Sequence, residues 1–358
     1  MSVKLIFLAP VYFNRMKQRH QSFAVELAKL GFDVCFIDPV CAPGYSVVIE
    51  NKQKNLKVFR VRVPFKATAI AGLQNIAARL ALSLVLRHSD FVPQKTFLWV
   101  AEPSLAAFTQ LCWQTIVYDR CDLHGAFPGQ RQNTWRSYEA RLFERADLIS
   151  VSHSYLAENL PENIAAKIVL ARNACSGDFL QGLFRADTSL MPQKPGDIVR
   201  LVSSGAHYEW SDIDWLAMLA DLDGVELHVA GTGRGTAFEK LIKRGNVIFH
   251  GHLDHDKLVR VLQNCHIGLI PFKNIELIKG VDPVKAYEYA ACGLEVWAPN
   301  LPSLITNEFI GRFIGHKNQA IEALQNFKNV PTVFAGKIPL WSERLQTILD
   351  RLHTLRSD

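Results

Sequence analysis

Short apolar runs alternate with helical periodicities along this chain, and that alternation restricts its fold more than any other feature. Residues 5–9, 33–38, 58–63, 96–100, 116–118 and 148–151 read as strands. Helical stretches separate them. Residues 18–30 place Phe23, Leu27 and Leu30 on one face before Gly31, and 69–87 and 132–145 follow. A second series has strands at 199–203, 226–230, 247–250, 267–271 and 295–298. Such alternation implies parallel, doubly wound α/β sheets. A chain of 358 residues is too long for one core, so two domains are expected. The polar stretch 187–197 marks the composition shift between the series and puts the boundary near 175–197. The expected domains are therefore 1–180 and 190–340, with a last helix over 341–355 packing back on the first.

Charge and cysteine content narrow the setting. Residues 1–185 carry 22 Lys+Arg against 14 Asp+Glu, whereas 186–358 carry 18 against 20. A basic first half suits an anionic membrane surface or an anionic acceptor. No nucleic-acid motif accompanies the charge, so no nucleic-acid partner is expected. The seven cysteines form no CxxC pair, which fits a reducing cytoplasm and argues against a disulfide frame or a structural zinc site. The apolar run 5–10 is too short for a signal peptide and reads as the first strand. The most hydrophobic helix, 69–87, is interrupted by Gln74, Asn75 and Arg79, which argues against a transmembrane span. Two readings stand for it: a buried helix, or an interfacial one whose apolar face meets lipid on the inner face of the cell membrane. In the second, Arg60, Arg62, Lys66, Arg79 and Arg87 would contact head groups.

The segment Val281-Asp282-Pro283-Val284-Lys285-Ala286-Tyr287-Glu288-Tyr289-Ala290-Ala291-Cys292-Gly293 carries the clearest chemistry. Asp282 suits an N-cap, Pro283 the first helical position and Gly293 the C′ position, giving a helix of about three turns. Lys285 and Glu288, three apart, share one face. A lysine in the first turn of a helix attracts phosphate, and a glutamate one turn on suits a ribose diol. Together with Val284 and Tyr287 they outline a nucleotide-diphosphate site.

Other candidates lie where strands end, the side on which doubly wound sheets bind ligands. Ser203-Ser204-Gly205 ends a strand and offers either backbone N–H groups to a phosphate or a tight turn. Gly231-Thr232-Gly233 reads as a turn near a nucleobase. His207 and Tyr208 lie close to the expected diphosphate. In the first half, Asp122 follows a strand and reads equally as a general base or a turn carboxylate. Asp119 and Glu102 compete for the same role. Asn14 and Arg15 occupy the first loop, within reach of donor or acceptor. No cluster has metal-ligand spacing, so no metal is expected.

Residues 283–293 resemble the P-x-K-x-x-E-Y-x-A-x-G motif of family 4-like bacterial glycosyltransferases of the GT-B fold. Cys265-His266-Ile267-Gly268-Leu269-Ile270-Pro271-Phe272 is similar to their D-V-G-L-x-P-F strand. Val229-Ala230-Gly231-Thr232-Gly233 is similar to their V-x-G-x-G turn, and Arg19-His20-Gln21 to their R-x-Q opening. The resemblance implies two Rossmann-like domains facing a cleft: an N-terminal acceptor domain and a C-terminal donor domain. It also implies Lys285 on the diphosphate and Glu288 on the ribose. Family 4 enzymes usually carry E-x7-E, but here Gly280 occupies the first glutamate's place, which weakens a retaining reading. Val117-Tyr118-Asp119-Arg120-Cys121-Asp122 resembles the xanthan-type glucuronosyltransferases, implying inversion with Asp122 as base. The expected donor is a UDP-sugar, UDP-glucuronate being one candidate, and the acceptor is a glycan or a polyprenyl-diphosphate-linked sugar of envelope or exopolysaccharide assembly. A retaining family 4-type enzyme, a UDP-sugar 2-epimerase and a non-catalytic nucleotide-sugar-binding subunit are the alternatives.

Overall fold

A computed structural model describes residues 2–15, 17–185, 198–327 and 337–357. The polar stretch 187–197 lies outside them. The chain divides into two units, Met1–Arg172 with Trp341–Asp358, and Asn173–Leu340.

Unit 1 is built on β1 (Lys4–Leu8), β2 (Asp33–Ile37), β3 (Ser46–Gln53), β4 (Leu56–Arg62), β5 (Thr96–Val100), β6 (Thr115–Arg120), β7 (Leu148–Val151) and β8 (Ile168–Leu170). Their order is β3-β4-β2-β1-β5-β6-β7-β8. The pairs are parallel except β3–β4, an antiparallel hairpin turning at Asn55 with φ 63°. The strand pattern does not reveal β3, because it is an edge strand of largely polar and exposed residues. Strand β6 runs past residue 118 and carries Asp119 and Arg120 in its ladder with β7.

The helices of this unit are α1 (Arg19–Lys29), α2 (Ala71–Arg87), α3 (Gln132–Arg145) and the short α4 (Glu162–Ala165). In α2 the buried face is lined by Ala77, Ala78 and Ala81, small enough to let the helix lie close over Phe59, Val61 and Val63 of the sheet edge. Leu73, Ile76, Arg79 and Arg87 face outward. Arg60 and Arg62 alternate with the buried Phe59 and Val61 along β4, so they point to the opposite side of the sheet from α2. The basic patch expected around α2 thus loses these two residues.

Two devices hold unit 1 together. One is an aromatic column: Phe7 of β1 stacks on Trp99 of β5 at 5.6 Å, Trp99 meets Phe23 of α1 edge-on, and Phe23 meets Trp341 at 5.5 Å. Trp341, Leu345, Ile348 and Leu352 repeat with helical period and are buried, which docks the C-terminal helix Trp341–Ser357 on this unit. The other is a buried ion pair. The Arg19 Nε and Nη2 atoms donate to both oxygens of Asp119 at 2.8–3.1 Å, and Nη1 donates to the Ala171 carbonyl at 2.7 Å. Desolvation makes such a pair sensitive to the loss of one partner. Asp119→Ala should therefore lower stability by about 3–5 kcal/mol in urea denaturation of the full chain. A loss below about 1 kcal/mol would contradict the role assigned to the pair.

Unit 2 contains β9 (Val199–His207), β10 (Val225–Gly233), β11 (Val247–Gly251), β12 (Ile267–Leu269), β13 (Glu295–Ala298) and β14 (Arg312–Phe313), in the order β11-β10-β9-β12-β13-β14. All pairs are parallel. The helices are α5 (Gly177–Arg185), α6 (Ile213–Ala220), α7 (Thr236–Leu241), α8 (His255–Gln263), α9 (Val284–Ala291), α10 (Pro302–Ile305) and α11 (Lys317–Gln325). Both faces of the sheet are covered: Leu201 of β9 enters one apolar cluster and Val202 the other. From β9 the chain first winds toward β10 and β11, then returns to β12 on the other side. The switch point therefore lies between β9 and β12.

Three local expectations change here. Ser203-Ser204-Gly205 and Gly231-Thr232-Gly233 are strand rather than turn, because the β9–β10 ladder continues through Gly205↔Gly231 to His207↔Gly233. Helix α9 has eight residues, about two turns. Pro283 occupies its N-cap position, and Asp282 lies one residue earlier and is buried.

Candidate functional site

The switch point of unit 2 is occupied by Lys285. Its Nζ lies 3.7 Å from where a Cβ on Gly205 would stand, and 5.3 Å from the centroid of the Phe272 ring beyond β12. Gly205 has φ +111°, a backbone conformation that favours glycine, and a Cβ there would stand in ordinary contact with the lysine. Lys285 and Glu288 are both half-buried, and the spacing that suggests an ion pair does not produce one. Among the described residues, neither the ammonium nor the carboxylate has a hydrogen-bond or ion-pair partner within reach. Burial lowers Lys285 from 10.5 to about 8, with Glu288 opposing. Burial raises Glu288 from 4.5 to about 7, with Lys285 opposing. A half-buried cation and a half-buried carboxylate, one turn apart and paired with no protein group, suit an anionic ligand that also carries hydroxyl donors.

Other residues frame this pair without being free to bind. Gly231 also has positive φ, and a Cβ on it would lie 1.9 Å from the Gly205 carbonyl oxygen. It lets β10 approach the strand that bears the site. A Cβ on Gly233 would meet the Phe238 ring at 2.4 Å, so this glycine accommodates an aromatic ring. The backbone N–H of Ser204 donates to the Tyr289 hydroxyl at 2.7 Å, and the Ser204 hydroxyl lies 2.9 Å from the same oxygen. That N–H is therefore not open to a phosphate. Tyr287 donates to Asp282 at 2.7 Å and packs on Phe309 at 4.7 Å between ring centroids, which makes it a brace for α9 rather than a nucleotide contact. Val284 is half-buried in the first turn of α9.

His207 is fully buried. Its Nε2 lies 2.8 Å from Ser203 Oγ and its Nδ1 3.4 Å from the Thr232 carbonyl, and its ring stacks on Phe238. Burial, with Lys285 adding to it, lowers its pKa to about 3, so it is neutral and structural. Tyr208 bonds Thr232 Oγ1 at 3.0 Å and bears the Arg234 guanidinium over its ring.

Sequence reasoning misses Phe272, Tyr289 and Asp282 as parts of this site. Asp282 accepts from the Asn173 backbone N–H at 2.6 Å, from Tyr287, and from Asn307 Nδ2 at 3.0 Å. Only the positions of Tyr289 and Asp282 within the lysine motif could have drawn attention to them.

The unit 1 candidates separate clearly. Asp122 is half-buried just after β6, and burial raises its pKa, opposed chiefly by His124. The Cys121 thiol points to its Oδ2 at 3.6 Å and lies 3.7 Å from His20 Nε2. Burial lowers His20 to about 4, so it is neutral. Asp119 is buried with both oxygens committed to Arg19, which removes it as a competitor for the base role. Glu102 accepts from the Ser104 N–H at 3.0 Å and caps the 3₁₀ turn Pro103–Gln110. Asn14 and Arg15 are exposed, on a loop tied down by the Phe13 N–H to Asp38 bond.

No protein-family model matches the chain. It is 26% identical over 227 residues to the putative teichuronic acid biosynthesis glycosyltransferase TuaH of Bacillus subtilis (strain 168), over 59% of this chain and 57% of that protein. The chain thus spans little more than half the length of this curated relative. Among solved structures, sucrose-phosphate synthase from Thermosynechococcus elongatus superposes with TM-score 0.67 at 14% identity, over 98% of this chain and 94% of that one. The catalytic domain of starch synthase IV from Arabidopsis thaliana, bound to ADP and acarbose, gives 0.65 at 10% identity over the whole of both chains. A UDP-forming α,α-trehalose-phosphate synthase from Burkholderia xenovorans, in complex with glucose-6-phosphate, gives 0.62 at 10% identity over 98% and 96%. These likenesses establish the fold: this is a GT-B chain with two Rossmann-like units.

The protonation of the pair makes a pH prediction. Glu288, raised, contributes stability below about 4.5 that is lost as pH rises through about 7. Lys285, lowered, contributes stability above about 10.5 that is lost as pH falls through about 8. The pair therefore weakens the ligand-free unit most between those two values. An anionic diphosphate favours the ammonium, so its binding at pH 8 should take up protons, and its affinity should fall as pH rises further. Titration calorimetry in two buffers of different ionisation enthalpy measures the uptake, which should vanish in Lys285→Met.

Proposed function

We propose that this protein is a glycosyltransferase that moves a sugar from a nucleotide-diphosphate donor, UDP-linked, to a glycan or polyprenyl-diphosphate-linked acceptor in envelope or exopolysaccharide assembly. The observation that carries the proposal is the half-buried Lys285, paired with no carboxylate, over Gly205 at the switch point of unit 2. The named activity of the Bacillus relative and the ADP bound to the Arabidopsis neighbour support it.

In this reading unit 2 holds the donor. Lys285 meets the diphosphate and stabilises the charge that grows on it as the bond from the sugar's anomeric carbon breaks. In a desolvated site that interaction exceeds its value in water. Glu288 accepts from the ribose hydroxyls, and those bonds favour its charged form. Unit 1 serves the acceptor. Asp122, its basicity raised by burial, takes the proton of the acceptor hydroxyl as that oxygen attacks, which inverts the anomeric centre. Gly280, where a second acidic residue would serve a retaining family 4-type enzyme, favours inversion. UDP-glucuronate is one candidate donor.

Lys285→Ala should weaken UDP binding, whereas Asp122→Asn should spare binding and lower transfer by roughly 10²–10⁴-fold. Normal turnover in the Asp122 variant removes it as the base, and a product of retained configuration replaces inversion with the retaining reading.

The same proposal places unit 1 at a membrane surface. No helix among the described residues is long and apolar enough to cross a membrane. Exposed Leu73 and Ile76, flanked by Arg79 and Arg87 on the outward side of α2, suit a shallow contact with anionic lipid. Changing Arg79 and Arg87 to Ser should weaken sedimentation with phosphatidylglycerol vesicles by about 1 kcal/mol per residue. Unchanged sedimentation would remove the contact.

A further inference from the structure

The site described above uses one cation, but the ends of β9 and β10 hold a second. Arg234 follows β10 directly. Its backbone N–H donates to the His207 carbonyl at 3.2 Å, and its guanidinium lies 4.8 Å over the Tyr208 ring. Tyr208 is itself fixed by its hydroxyl to Thr232 Oγ1 at 3.0 Å, and its ring meets Trp210 edge-on at 5.3 Å. Arg200, Arg244 and Arg312 of the same unit each meet a carboxylate. Among the described residues the Arg234 guanidinium meets none.

This arrangement has a chemical meaning. Stacking covers the face of a guanidinium and leaves its in-plane donors open, and a planar fork suits the paired oxygens of phosphate or carboxylate. A side chain already held on a ring loses less conformational entropy when it binds. The ladder sets Gly205 opposite Gly231, so Arg234 stands three residues beyond that level, about 10 Å farther along the strands. Like Gly205, it stands toward the carboxyl ends of these parallel strands, the side on which such sheets bind ligands.

We propose that Arg234 is a specificity-determining residue that binds a second oxyanion of the donor, beyond the phosphate held by Lys285. This rests on the nucleotide-sugar reading of the site. Two donor groups carry the required chemistry: the distal phosphate, present in every nucleoside diphosphate, and the carboxylate of a uronic acid sugar.

Titration of the full chain with UMP, UDP, UDP-glucose and UDP-glucuronate tests the inference, using the unsubstituted protein, Arg234→Met, Arg234→Lys, Tyr208→Leu and Lys285→Ala. Arg234 is exposed, and thermal melts of each variant report on folding. Arg234→Met should leave UMP affinity unchanged and lower that of its target ligands roughly ten- to a hundredfold. A loss shared by UDP, UDP-glucose and UDP-glucuronate assigns the distal phosphate, and a loss confined to UDP-glucuronate assigns the sugar carboxylate. Arg234→Lys should restore only part of the loss, and Tyr208→Leu should show the same ligand pattern in weaker form. Unchanged affinities for all four ligands in Arg234→Met, with Lys285→Ala impaired, overturn the role of Arg234 alone. If Lys285→Ala also binds all four as the unsubstituted protein does, the site reading beneath it falls.

Discussion

Much of unit 2 depends on one close approach. At Gly231 the backbone of β10 comes so near the carbonyl of Gly205 that a single methyl group would collide with it. Both residues have positive φ, and both are strand residues in register. Because the strands can close there, the ladder runs on to His207 and Gly233 instead of breaking into loops. The floor beneath Lys285 is therefore hydrogen-bonded sheet, and Tyr289 ties it to α9 through Ser204. An active-site floor of this kind orients a ligand without the entropy loss of ordering a loop.

On that floor, desolvation governs the chemistry. The same burial that lowers Lys285 raises Glu288 and keeps His207 neutral. His207 thus stays neutral, while Lys285 and Glu288 carry their charges at a cost in the window between about 7 and 8. An ordinary surface lysine would already be solvated or paired, and binding would have to displace those partners. Here the cost is present in the empty protein, and a complementary anion relieves it.

The alternation of strands and helices, the position of the lysine motif and the return of the last helix to unit 1 were all legible in the sequence, since each is written in periodicity or in capping residues. Strand β3 was not, because an exposed edge strand of polar residues lacks the apolar pattern that marks its neighbours. The glycine runs misled in a different way. Glycine usually signals a turn, yet at 205 and 231 it serves the close contact of two strands, which depends on residues 26 positions apart. Asp119 and Asp122 look interchangeable three residues apart, but only the structure shows Arg19, a hundred residues earlier, taking both oxygens of the first. Side-chain partners at long range leave no periodic trace.

The edge-on contact of Trp341 with Phe23 has a consequence for how the chain matures. Unit 1 is interrupted in sequence by the whole of unit 2. During synthesis, Asn173–Leu340 leaves the ribosome as a continuous stretch with its own sheet and both of its apolar clusters, whereas unit 1 must wait for the residues after 340 to cover Phe23 and complete its aromatic column. The apolar face of α1 around Phe23 thus stays open until Trp341 and the turns after it have been made, so that unit 1 closes later than unit 2.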